Sequence, residues 1–182
     1  MVTASPEHAG HRGERAEHAR RVAAGVPDPE LPMLTLADLG VLRAVEVGPD
    51  GTVVARITPT YAGCPAVAEM RAEVASRLRA AGFPDVRVVT VLDPPWTTDR
   101  ISEEGRRKLA EHGIAPPGSR NAPHPAPGRT WLTLTRAPAA VPCPRCASAD
   151  TEEISHFAAT PCTALRRCRA CLEPFPHVKD LP

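Results

Sequence analysis

Cys143-Pro-Arg-Cys146 and Cys168-Arg-Ala-Cys171 are two C-x2-C pairs with 21 residues between the inner cysteines. Each pair turns two thiolates outward from one tight knuckle, and two knuckles complete the tetrahedral sulfur shell that a structural zinc ion prefers. Cys143, Cys146, Cys168 and Cys171 are therefore the expected zinc ligands, and residues 141–182 read as a zinc ribbon. A closed four-thiolate site leaves the metal no open position, which argues for a folded platform and against zinc catalysis. Thr151 to Phe157 alternates like a strand, and the span between the knuckles is long enough for a hairpin. So small a module has little core of its own, so its stability is expected to come chiefly from the metal.

The rest of the chain must supply a second, larger fold. Six aromatic residues among 182 (Phe83, Phe157, Phe175, Trp96, Trp131 and Tyr61) leave its core to Val, Leu, Ile and Ala, and 22 prolines interrupt the remainder. No run of apolar residues is long enough to span a membrane, and no apolar leader follows the scattered basic residues at the start; a cytoplasmic protein is expected. The six cysteines are then reduced thiols rather than a disulfide framework. Residues 141–182 carry five basic and five acidic side chains, so four thiolates and one zinc ion make the ribbon negative. Residues 26–114 carry ten basic and thirteen acidic side chains, the wrong balance for tracking phosphates. Neither nucleic acid nor a membrane is an expected partner.

Residues 1–25 read as a tail followed by a short helix over Arg12 to Ala24. Val26-Pro-Asp-Pro-Glu-Leu-Pro32 stops it, since each proline fixes its own φ and disfavours helix in the residue before it. Val41 to Val47 and Thr52 to Thr58 each place branched residues on one face, with Gly48-Pro-Asp-Gly51 between them, which predicts a hairpin. From Pro65 to Ala81, Val67, Met70, Val74 and Leu78 form one stripe of a helix that Gly82 ends. Val86 to Leu92 is β-branched on both faces, as in a strand covered on both sides and parallel to its neighbour. Ser102 to His112 predicts a further helix, capped by Ser102. The fold expected for 26–114 is thus a small α/β domain, strand-strand-helix-strand with extra helices. Residues 115–140 turn to Pro, Ala and Gly and read as a linker, with Trp131 to Thr135 a candidate edge strand.

Cys64 lies directly after Ile57-Thr-Pro-Thr-Tyr-Ala-Gly63 and directly before Pro65. That order predicts Cys64 as the helix N-cap, where unpaired N–H groups and the positive end of the dipole favour the thiolate. The competing reading is a small apolar residue in a strand-to-helix turn. Asp28, Glu30 and Asp38 read either as turn and capping residues or, with Cys64 and Thr60, as an open oxygen and sulfur site for iron. Cys162 reads as packing beneath the ribbon hairpin or as a fifth, exchangeable thiol.

Asp28-Pro-Glu-Leu-Pro32, Asp38-Leu-Gly40, Thr58-Pro-Thr-Tyr-Ala-Gly-Cys-Pro65, Pro95-Trp-Thr-Thr-Asp99 and Glu103-Glu-Gly-Arg-Arg-Lys-Leu109 together resemble the D subunit of the bacterial phenylacetyl-CoA epoxidase system. The two knuckles, Thr160-Pro-Cys162 and Glu173-Pro-Phe175 resemble that protein's C-terminal module. The first half also resembles SufT-like iron-sulfur maturation proteins, a likeness that implies a functional role for the cysteine in the Gly-Cys-Pro context. The resemblance implies an accessory subunit, not the catalytic one, that matures iron or iron-sulfur centres of the oxygenase or its reductase; the alternative is a non-catalytic structural subunit. It implies structural zinc, transient iron or cluster at Cys64, and the oxygenase and reductase subunits as partners, with a homodimer left open. Two departures stand out. Ala147 replaces the glycine that usually follows the first knuckle, and the stretch from Gly118 to Ala140 is unusually long and proline-rich.

Overall fold

The structure, a computed structural model, describes residues 6–118 and 141–180, with side chains of the first helix from Gly13 onward. By its contacts the chain divides between Lys108 and Leu109 into two compact units. The candidate strand Trp131 to Thr135 lies outside the described residues.

In the first unit the expected hairpin forms: β1 (Leu42–Val47) and β2 (Val53–Ile57) run antiparallel, and Gly51 in the turn takes φ +87°. Helix α2 (Val67–Ala80) crosses over and returns the chain as β3 (Val86–Thr90), parallel to β2, so the sheet order is β1-β2-β3. The preceding helix α1 (Pro6–Ala24) packs on β1 and α2 on β3. Val45, Val53, Ala55 and Ile57 form the buried side of the hairpin, and Met70, Val74 and Leu78 the buried stripe of α2. Complete burial of a Val or Leu side chain contributes about 1.5–3 kcal/mol. Gly82 ends α2 at φ +90°, and the Phe83 N–H donates back to the Leu78 carbonyl oxygen at 3.1 Å.

Three expectations are corrected. Helix α1 begins at Pro6 rather than at Arg12, a first-turn position where a missing N–H costs nothing. β3 is not covered on both faces: Arg87 is exposed and Val89 is 44% exposed, because both helices lie on one side of a sheet of which β3 is the edge. Cys64 is not the N-cap of α2. That position is Ala66, at φ −73° and ψ −10° with no side-chain cap, since Cys64 and Pro65 still belong to a turn.

The segment after β3 folds back on the residues before β1. Buried Trp96 donates its Nε1–H to the Leu39 carbonyl oxygen at 2.8 Å, and Lys108 Nζ reaches Asp38 Oδ2 at 2.8 Å. A Cβ at Gly105 would lie 2.8 Å from the Asp38 carbonyl oxygen, so only glycine lets helix α3 (Glu103–Glu111) approach that closely. Ser102 caps α3 as expected, its Oγ accepting the Gly105 N–H at 2.9 Å.

The second unit carries an antiparallel sheet of order β4-β5-β6: β4 (Thr151–Ser155), β5 (Thr163–Cys168) and β6 (Pro174–Val178). Strand β6 holds two prolines, which an edge strand tolerates. Ala115 bridges to it, donating its N–H to the Pro176 carbonyl oxygen at 2.8 Å and accepting from Val178 at 3.0 Å. Ala115, Val141, Cys143, Cys168 and Phe175 form its small buried cluster.

Candidate metal centre

Each knuckle places two sulfurs by backbone geometry. In the first, the Ala147 N–H donates to the Cys143 carbonyl oxygen at 2.9 Å and the Cys143 N–H to that of Ser148 at 2.9 Å. In the second, the Cys168 N–H donates to the Glu173 carbonyl oxygen at 3.0 Å and the Cys171 N–H to Cys168 Sγ at 3.4 Å. The residue after the second cysteine of each knuckle is left-handed: Ala147 at φ 59° and Leu172 at φ 64°.

The four sulfurs lie within 4.8 Å of one another, with Cys143 to Cys171 at 3.7 Å and Cys146 to Cys168 at 3.5 Å. A tetrahedral zinc ion with Zn–S bonds of about 2.3 Å needs sulfur edges of about 3.8 Å. The arrangement fits that ion, and Cys143 and Cys168 are buried while Cys146 and Cys171 lie at the surface.

The thiols are not equivalent. The N–H groups of Cys171 and Ala170 and the neighbouring thiols pull Cys168 down to about 6, against the cost of burial. At Cys146 the Ser148 N–H favours the thiolate, but the neighbouring sulfurs, Cys168 first, and burial outweigh it and hold the thiol up at about 12. Four thiolates this close repel one another. A divalent cation among them supplies the charge that lets all four ionise.

Cys162 stays outside the quartet. It is buried, with Sγ 3.1 Å from Thr160 Oγ1, and its carbonyl oxygen accepts the Lys179 N–H at 3.0 Å.

In the first unit, Cys64 is half-buried in the turn before α2, its N–H donating to the Tyr61 carbonyl oxygen at 3.2 Å and its own carbonyl oxygen accepting from Val67 at 3.4 Å. Thr60 is half-buried in the bend after β2. Asp28 is buried, and Oδ1 accepts the N–H groups of Glu30 at 2.9 Å and Leu31 at 2.8 Å. Burial raises its carboxyl despite those donors, with Glu69 adding to the rise. Burial and then Asp28 raise Glu30 in turn. Asp38 differs. Burial opposes its ionisation, but Lys108 and Thr35 overcome that and hold it below the ordinary range.

Among the described residues, the sulfur quartet is the one group of three or more Cys, His, Asp or Glu ligand atoms gathered at metal-binding distances. Asp28, Glu30, Asp38 and Cys64 are not brought into such a group. Asp28 and Asp38 serve the turns of their own segment, which matches the capping reading. Sequence reasoning missed Glu69, which acts electrostatically on Asp28 and borders an open cavity of about 420 Å³ lined also by Pro27, Pro29, Met70 and Glu73. Its signal in the sequence was its place in the first turn of α2, five residues past Cys64.

Comparison with known proteins matches two separate stretches of the chain. Residues 19–92 match a family model described as iron-sulfur cluster assembly protein, and residues 129–179 match one described as PaaD zinc beta ribbon domain. The chain is 42% identical, over 85% of its length and 86% of the relative's, to a protein of Escherichia coli (strain K12) named as the D subunit of 1,2-phenylacetyl-CoA epoxidase. It is 33% identical, over 49% of its length and 85% of the relative's, to a protein of Porphyromonas gingivalis (strain ATCC BAA-308 / W83) named Fe-S protein maturation auxiliary factor. The crystal structure of a domain of unknown function, DUF59, from Bacillus anthracis shares its fold at a TM-score of 0.51 and 24% identity, over 56% of this chain and 96% of that one. Two relatives of these kinds joined in one chain, with the sulfur quartet in place, decide the matter: this chain belongs to the family of the 1,2-phenylacetyl-CoA epoxidase D subunit.

Proposed function

We propose that this chain is an accessory subunit of a phenylacetyl-CoA epoxidase system that matures iron or iron-sulfur centres of the oxygenase or its reductase, and that it is not itself catalytic. The observation that carries this is the union, in one polypeptide, of an iron-sulfur assembly module over residues 19–92 with a sulfur-quartet ribbon. In this reading Cys143, Cys146, Cys168 and Cys171 hold zinc, which supplies only a permanent cross-link between the two knuckles.

Cys64 is the residue that receives iron or cluster as cargo. Its residue is half-buried rather than enclosed, and it lies in the turn before α2 rather than within the helix, which supports this reading. Asp28, Glu30 and Glu69 act on one another rather than on Cys64: Glu69 adds to the rise of the Asp28 carboxyl and Asp28 to that of Glu30. No helix among the described residues is long and apolar enough to cross a membrane, and reduced thiols suit the cytoplasm.

Coexpression of the oxygenase and reductase with the native chain or with Cys64→Ser tests the role. The variant is expected to keep its zinc while leaving the oxygenase or reductase short of iron. Normal iron loading, with the variant copurifying in unchanged stoichiometry, would reject the carrier and identify a structural subunit.

A further inference from the structure

Two sulfur contacts of the quartet cross from one knuckle to the other, and each joins a surface cysteine to a buried one. Cys146, at the surface, lies 3.5 Å from Cys168, which is fully buried. Cys171, at the surface, lies 3.7 Å from Cys143, which is 2% exposed. Other bonds hold the knuckles in this facing position. The Arg145 guanidinium meets the Glu173 carboxylate at 3.5 Å, Thr151 pairs with Cys168 in the ladder, and the Arg169 N–H donates to the Asp150 carbonyl oxygen at 2.9 Å. The Cys171 N–H, donating to Cys168 Sγ at 3.4 Å, fixes that sulfur within its own knuckle.

An oxidant in solvent meets the surface thiolates first, since oxidation follows thiolate character and exposure. The buried sulfur across the gap is then in place to resolve the product. A disulfide holds its sulfurs at about 2.05 Å, so each contact has only about 1.5 Å to close.

We propose that the quartet is a peroxide-responsive switch, in which oxidation at a surface sulfur expels the metal and closes a disulfide between the knuckles. Under reducing conditions the metal cross-link stands; hydrogen peroxide is the oxidant that opens it. The Cys146 thiolate attacks one peroxide oxygen, the O–O bond breaks, hydroxide leaves and a sulfenic acid forms. The Cys168 thiolate then attacks the Cys146 sulfur, the S–O bond breaks and the second hydroxide leaves. Two electrons pass from the sulfur pair to peroxide, and two protons from solvent turn the hydroxides into water. Zinc keeps its charge and leaves as Zn2+, because only two thiolates remain to hold it. The same steps are open to Cys171 with Cys143. Either bond spans the knuckles that the metal had joined, so the ribbon stays closed without it. The proposal rests on the zinc reading of the quartet and leaves the role of Cys64 untouched.

The test treats the full zinc-loaded chain with hydrogen peroxide, measures zinc by elemental analysis after desalting, and maps disulfides in tryptic peptides. Trypsin cuts after Arg145 and Arg169, which separates the two cysteines of each knuckle and so tells a bond across the knuckles from one within. Loss of zinc in step with a Cys146–Cys168 or Cys143–Cys171 bond is expected, and dithiothreitol with zinc should restore the starting protein. Amide protection across Thr163 to Cys168 is expected to survive peroxide, although a chelator removes it. Cys162→Ser is expected to release zinc at the native rate. Zinc retained after Cys64 has been oxidised, a bond within one knuckle, a bond to Cys162 or Cys64, or sulfinic acid in place of a disulfide would each overturn the proposal. A chain that holds no zinc when isolated would overturn the zinc reading with it.

Discussion

The sulfurs of Cys143 and Cys171 lie 3.7 Å apart although 28 residues separate them in sequence. Among the described residues no hydrophobic core of size holds the two knuckles together, since the buried cluster of this unit is Ala115, Val141, Cys143, Cys168 and Phe175. Metal linkage must therefore contribute much of the folding free energy of the second unit.

Removing the metal is accordingly expected to release the ribbon first. On addition of a strong chelator, amide hydrogen exchange should lose protection across Thr163 to Cys168, while Val53 to Ile57 in the first sheet stays protected. Equal protection of both strands before and after chelation would show that the knuckles stand without metal.

Ala147 holds a left-handed backbone at φ 59° where a β-carbon is strained by about 1–2 kcal/mol. Ala147→Gly removes that strain but adds freedom to the unfolded chain, leaving a net gain of about 0.5–1 kcal/mol. Thermal unfolding of the zinc-loaded protein should show a higher melting temperature, and Leu172→Gly, at φ 64°, should act in the same direction.

Asp28 and Asp38 sit in one segment yet bias stability in opposite directions with pH. Asp38 is held below its ordinary value of 3.8, so its contribution is present above that pH and is lost as acid passes through its lowered value. Asp28 is raised above 3.8, so its contribution is present below that pH and is lost as pH rises through its raised value. At neutral pH, Asp38→Asn is expected to destabilise by about 1–3 kcal/mol through the lost bond to Lys108. Asp28→Asn, which keeps a carbonyl oxygen for the Glu30 and Leu31 N–H groups, should be neutral or stabilising there. Denaturant titrations at neutral and acid pH measure both differences, which should shrink on acidification.

Gly105→Ala tests the close approach of α3. The added methyl would meet the Asp38 carbonyl oxygen at 2.8 Å and the Ile101 side chain at 3.2 Å, so the helix must shift. Overpacking of this kind costs about 1–3 kcal/mol. A variant that melts with the native chain would show that α3 is not held there.

Much of this architecture was legible because its signals are local. The Met70, Val74 and Leu78 stripe, the Gly48 to Gly51 turn and the Ser102 cap each announce an element within a few residues. β6 escaped because Pro174 and Pro176 argue against a strand, and only its edge position and the Ala115 bridge make them acceptable. The cap at Cys64 was misplaced by two residues because Pro65, a good first helical residue, can equally occupy a turn. β3 looked doubly covered because valine on both faces does not say on which side helices will lie. The quartet was legible from spacing alone. The pairing of Asp38 with Lys108 was not, since 70 residues separate them and nothing in either neighbourhood names the other.

In the proposed function the sulfurs divide the labour, with the quartet holding its metal permanently and Cys64 holding one in passing. Elemental analysis of protein purified without oxygen, native and Cys64→Ser side by side, tests this most directly. One zinc per chain is predicted in both proteins, with substoichiometric iron in the native chain alone. Iron retained undiminished in the variant, or a native chain without zinc, would contradict it.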